Sequence, residues 1–126
     1  MGDKQVDFFS GISNLTPEKC SELNQKAADR EGVLYQSVGS MMAAPSSATF
    51  PLSLGYRIIF NTDGANDGLV CTESMKWGHF LGLWTPKGKL GISHGDVIDL
   101  TRKNIVGFDV CEQYVQIIKN LKEKGL

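Results

Sequence analysis

Asn61-Thr62-Asp63-Gly64-Ala65-Asn66-Asp67-Gly68-Leu69-Val70 opens on a run of turn formers that no regular helix or strand tolerates. It predicts a shaped loop with a carboxylate held inside it. Immediately upstream, residues 51–60 suit a turn or two of helix burying Leu52, Tyr56 and Ile59, with Gly55 weighing against a longer one. Before that, residues 39–49 are small and aperiodic and predict a long loop. Val33-Leu34-Tyr35-Gln36-Ser37-Val38, rich in β-branched and aromatic side chains, predicts a buried strand. Thr16-Pro17-Glu18 reads as an N-cap, a proline at the first helical position and an acid at the positive end of the dipole, and predicts a helix over 17–28.

Downstream of the acid loop, residues 89–92 predict a second short strand that delivers Gly91-Ile92-Ser93-His94-Gly95-Asp96 as another loop, and residues 99–104 a further connection. Phe108, Cys111, Tyr114, Val115, Ile118 and Leu121 recur near helical spacing, with Lys119, Lys122 and Lys124 in the closing turns, and predict an amphipathic helix over 108–124. Strand, loop with acid, strand, loop with histidine, closing helix is the closing pattern of an α/β sheet, where functional loops sit at the carboxyl ends of strands. Two strands are fewer than such a sheet normally has, so their apolar edges need partners. Self-association of the isolated chain as a homo-oligomer is the expectation that follows.

At 126 residues the chain has room for one domain, residues 1–126, and one modest core. Its 13 basic and 14 acidic side chains are interspersed, so no field is available to hold a nucleic-acid backbone, and no nucleic-acid partner is expected. No stretch approaches the roughly 20 apolar residues that span a bilayer. Cys20, Cys71 and Cys111 are far apart and outside any CxxC pattern, which suits small buried thiols better than a disulfide framework or a zinc knuckle. Met1-Gly2-Asp3-Lys4-Gln5 lacks the apolar core of a signal peptide, which is weak evidence if a longer parent begins elsewhere.

An acid loop followed by a histidine loop gives the last two members of a Ser…Asp…His order. In that chemistry an imidazole takes the proton from a serine while a carboxylate fixes its tautomer and stabilises the imidazolium. Asn66-Asp67-Gly68-Leu69-Val70, then Ser74-Met75-Lys76-Trp77-Gly78, then Ser93-His94-Gly95-Asp96-Val97-Ile98-Asp99 resembles the C-terminal part of the bacterial-type triacylglycerol lipases of the α/β-hydrolase class. The likeness extends upstream through Leu15-Thr16-Pro17-Glu18 and residues 33–37 and downstream through the last helix. The resemblance implies an α/β fold, the C-terminal part of an α/β-hydrolase sheet with flanking helices and incomplete. It implies Asp67 as catalytic acid, His94 as catalytic histidine, lipid esters as substrate and a secreted parent, with a cytoplasmic location as the alternative. The family's nucleophile and oxyanion-hole segments have no counterpart here, so the missing N-terminal half is an expected partner and the chain alone is expected to be inactive.

Other residues compete for roles. Gly91-Ile92-Ser93-His94-Gly95 matches G-x-S-x-G, which would make Ser93 the nucleophile of a compact serine esterase. Against that, Asp96-Val97-Ile98-Asp99 is a poor helix opening, and no histidine follows the adjacent one. Asp63 is a rival acid, with turn capping as its ordinary role. No cofactor is required. Some lipases that this chain resembles hold calcium near the histidine, and Asp96 and Asp99 are the candidate ligands, with turn capping the alternative. His79 lacks a paired ligand and is expected in a surface loop. Residues 77–84 are apolar enough either to touch an acyl chain or to be core. A non-catalytic interaction or lipid-binding module is the alternative function.

Overall fold

The computed structural model of the protein describes residues 13–14, 16–86, 88, 90–100 and 105–126. Leu15, Lys89 and residues 101–104, which carry parts of the resemblance, the second predicted strand and the predicted connection, lie outside the described residues. The chain divides into two compact units, Met1–Val33 and Leu34–Leu126. In the first, helix α1 (Pro17–Lys26) starts as its sequence dictates: Thr16 is extended, its hydroxyl accepts from the amide of Lys19, and Pro17 and Glu18 occupy the first turn.

The second unit carries strand β1 (Gln36–Ser40), helix α2 (Leu52–Thr62), strand β2 (His79–Trp84) and helix α3 (Val110–Glu123). β1 and β2 pair in parallel, and the crossover that parallel pairing requires runs through α2 and the acid loop. The protein is therefore of mixed α/β class, and among the described residues its sheet has two strands.

The first strand overlaps the predicted buried strand 33–38 at residues 36–38 alone: Val33 and Leu34 precede it and are exposed, and Gly39 and Ser40, expected in the following loop, complete it. The second strand, β2, is formed by part of the apolar stretch 77–84, and residues 90–92 form no strand. The reason is a bulge. Ser37 opposes Phe80 and Gly39 opposes Leu83, so β2 has two residues, Leu81 and Gly82, where β1 has only Val38. Gly82 adopts φ +110°, a conformation that favours glycine, and the extra residue destroys the strict alternation by which a strand is recognised in sequence. Around Gly91 only an isolated antiparallel bridge to Met42 forms, flanked by bonds from the amide of Ala43 to the carbonyl of Leu90 and from that of Ile92 to the carbonyl of Met41. His79, expected in a loop, is an exposed residue at the start of β2, where its amide donates to the carbonyl of Tyr35.

α3 begins at Asp109, whose carboxylate caps the amide of Glu112 at 3.1 Å. Its orientation differs from the predicted one. Tyr114 meets Trp84 edge-on at a centroid distance of 5.3 Å and donates from its hydroxyl to the carbonyl of Val97, and this turns the half-buried Ile117 and Leu121 inward with it. Cys111, Val115 and Ile118, which the sequence spacing sets on the packed face, are exposed, and Tyr114 itself stays 41% exposed. The cysteines expected as buried thiols are not buried: Cys111 is exposed because α3 turns other side chains inward, Cys20 is exposed on α1, and Cys71 is half-buried.

α2 is a full helix of 11 residues in spite of Gly55. The glycine is explained by its neighbour: a Cβ at position 55 would run into the carbonyl oxygen of Gly68, in the acid loop. Alanine in a helix interior is worth about 1 kcal/mol over glycine, and forced overpacking costs about 1–3 kcal/mol or more, so the clash wins. Gly55→Ala is expected to lower stability by about 1–2 kcal/mol, read as a lower urea midpoint; a rise in the midpoint would show that α2 does not press on the loop.

Candidate active site

Among the described residues the buried interior of the second unit is as polar as it is apolar. Met42, Tyr56, Trp84 and Ile92 are buried, and so are Ser40, Asn66, Asp67 and Ser93. Buried polar side chains persist only where their bonds are made, and no buried side-chain nitrogen or oxygen among the described residues lacks a partner. Those bonds build the acid loop.

Asn66, fully buried, organises it. Its amide nitrogen donates to the carbonyls of Tyr56 at 3.2 Å and Gly64 at 2.9 Å, and its oxygen accepts from the amide of Gly68 at 2.9 Å. Its own carbonyl accepts from the amide of Met42. One side chain thus joins the middle of α2 and the chain just past its end to the tight turn at Gly68, where φ is +97°. Asn66 stood in the sequence only as part of a motif; an Asn directly before Asp-Gly in a loop bounded by a helix is the signal that marks it as a loop organiser.

Asp67, next along, is 2% exposed and accepts four hydrogen bonds. Oδ1 takes the amides of Leu69 at 3.0 Å and Val70 at 2.8 Å. Oδ2 takes the hydroxyl of Ser40 at 3.3 Å and faces His94 Nδ1 at 2.8 Å. Such a set of donors suits an ionised carboxylate, which offers only acceptors. The structure brings Asp67 and His94 together twice, because the amide of His94 also donates to the carbonyl of Asp67 at 2.9 Å. With Nδ1–H given to the carboxylate, Nε2 carries the free lone pair, and the His94 side chain is 45% exposed. Among the described residues Nε2 has no hydrogen-bond partner.

The other candidates fall elsewhere. Asp63 closes α2 as an exposed residue whose carboxylate accepts from the hydroxyl of Thr62 at 2.6 Å, and it does not reach the histidine. Ser93, 4% exposed, donates its hydroxyl to Asp96 Oδ2 at 2.7 Å, and its amide donates to the same oxygen at 2.9 Å. That closes the turn after His94 and points Ser93 Oγ at a carboxylate other than Asp67. A short 3-10 turn, Asp96–Ile98, follows, not the long helix a nucleophile elbow needs. Asp96 is thus committed through Oδ2 to the turn, and Asp99 ends it in a left-handed conformation at φ 50°. Among the described residues no three His, Cys, Asp or Glu side chains converge as metal ligands. Of the stretch 77–84, Trp84 is buried against Phe108 and Tyr114, and Phe80 and Leu83 are half-buried, so its inner side chains are core.

Compared with family models, with curated proteins and with solved structures, the chain finds no match.

Proposed function

We propose that the chain is the C-terminal portion of a triacylglycerol lipase of the α/β-hydrolase class, supplying the acid and the histidine of a Ser-Asp-His triad. The observation that carries this is the 2.8 Å contact between His94 Nδ1 and a buried carboxylate whose other acceptor sites are filled. A preceding segment brings the serine to Nε2 and the oxyanion donors to the ester carbonyl oxygen. His94 then takes the serine proton as the hydroxyl attacks the ester carbonyl, and returns it to the leaving alcohol. Water attacks the acyl-enzyme by the same route with His94 again as base. Asp67 holds the imidazole with Nε2 free and stabilises the imidazolium formed in each step.

The same segment covers the apolar surface left on this chain, which includes Leu54 and Ile58 on α2 and Val115 and Ile118 on α3. Without it, a second copy of the chain does so. Those exposed side chains also favour the second reading, a non-catalytic module that binds a partner or lipid through them. Secretion of the parent enzyme and calcium at Asp96 and Asp99 belong to the lipase proposal as implications of the resemblance, and no step of the chemistry above depends on them.

The test is hydrolysis of a short p-nitrophenyl ester by the chain with and without the preceding segment of its parent. Activity that requires both pieces supports the lipase; silence in both preparations favours the module. Ser93→Ala separates the compact esterase. Removal of the Ser93 hydroxyl is expected to cost about 1 kcal/mol of stability through the loosened turn, and to leave hydrolysis by the joined pieces within a few-fold. Loss of activity together with loss of fluorophosphonate labelling would instead make Ser93 the nucleophile.

A further inference from the structure

We propose that Ser40 is a positioning residue for the Asp67–His94 pair, one that sets how strongly the carboxylate holds the imidazole. The proposal rests on the assignment of Asp67 and His94 as acid and histidine. Ser40 ends β1, is 1% exposed, and donates its hydroxyl to Asp67 Oδ2 at 3.3 Å, the oxygen that faces His94 Nδ1. Met75 lies over this strand end. Its sulfur accepts from the amide of Ser40 at 3.4 Å and would sit 2.8 Å from a Cβ at Gly39, so only a residue without a side chain lets it approach. Sealed in this way from water, the Ser40 hydroxyl has Asp67 as its acceptor.

Orientation of the carboxylate does not need this serine. The amides of Leu69 and Val70 already hold Oδ1, and with the backbone bonds of Asp67 they fix the plane. What Ser40 adds is a second donor on Oδ2. Two donors on one carboxylate oxygen divide its charge, and each bond is weaker than it would be alone. The serine therefore tempers the Asp67–His94 bond and does not build it. A histidine that must accept a proton and then release it in each half-reaction gains from such moderation, because a carboxylate that held the imidazolium too firmly would slow the return of the proton.

The strength of the bond can be read in the chain as it stands, from the His94 Nδ1–H proton resonance, which moves downfield as its hydrogen bond strengthens. Ser40→Ala and Ser40→Cys, which remove the hydroxyl with different residual volumes, are expected to move it downfield, more so for alanine; Ser40→Thr, which keeps the hydroxyl, is expected to restore it. An unmoved resonance in both would reduce Ser40 to filling space, an upfield shift would make it a support for the carboxylate, and a threonine variant that behaves like alanine would remove the hydroxyl from the cause; each overturns the proposal. Asp67→Asn is the reference. If it abolishes the downfield resonance while the Ser40 variants leave it in place, Ser40 alone is misassigned; if it leaves the resonance unchanged, the acid and histidine assignment falls and the role of Ser40 with it.

Discussion

His94→Ala is expected, on the proposed lipase function, to lower kcat for ester hydrolysis by the chain joined to a serine-bearing segment by on the order of 10⁴–10⁶-fold. The size follows from the position of the imidazole. Nδ1 is held by Asp67, and Nε2 is the one imidazole nitrogen left to move a proton. The residual rate is that of a serine and an oxyanion hole without a base. Asp67→Asn is expected to cost about 10⁴-fold while leaving the loop in place, because an amide nitrogen can donate to Nδ1 and force the proton onto Nε2, the wrong tautomer for a base. Removing both should cost little more than removing the histidine, since the two act as a unit. The measurement is kcat at saturating ester with folding checked by far-UV circular dichroism; a folded His94→Ala protein that keeps a tenth of the activity would remove His94 from the mechanism.

Asn66→Ala is expected to be the most damaging single change to stability in the site, by about 2 kcal/mol or more. Two backbone groups depend on that side chain, the carbonyl of Gly64 and the amide of Gly68, whereas the carbonyl of Tyr56, inside α2, keeps its helical partner. Each group left without a partner in a buried place costs about 1–3 kcal/mol, and entry of water recovers part of that. Against a total stability of about 5–15 kcal/mol for a typical domain, the loss is large. Asp63→Ala in the same loop should change stability by about 0.5 kcal/mol or less, because Asp63 is exposed and accepts from Thr62 alone. Urea denaturation followed at the tryptophans reads both. Equal midpoints for the two variants would mean that the loop holds its shape through its backbone and not through Asn66.

The acid loop, the first helix and the closing helix were legible in the sequence because each is specified locally. A cap at Thr16 and turn formers around Gly64 and Gly68 act on their own neighbours, whereas the β-rich run marks the first strand only in part, because Val33, Leu34 and Tyr35 precede it and Gly39 and Ser40 complete it. The second strand was not legible, because its signal is periodicity and the bulge at Leu81 and Gly82 breaks the period. The facing of α3 was lost for a different reason: the helix is anchored by Tyr114, which touches Trp84 and Val97, and a contact between distant residues leaves no mark on the helix's own spacing. Asp67 and His94 could be picked out by type and order, but the contact between them depends on Asn66 and on the bridge at Met42 and Gly91, neither of which announces its partner in sequence.

The main-chain bond from His94 to Asp67 has a consequence for assembly. It ties the two loops together beneath the side chains, so the carboxylate and the imidazole travel as a single rigid insert and not as two groups that must each be aimed. On the proposed lipase function, a complementary segment docking on this chain has one alignment to achieve, the approach of its serine to Nε2, where three separate loops would demand two. Errors in docking then displace the serine from the base but leave the base and its carboxylate in register, so a poorly seated complex would be slow and still use the same chemistry.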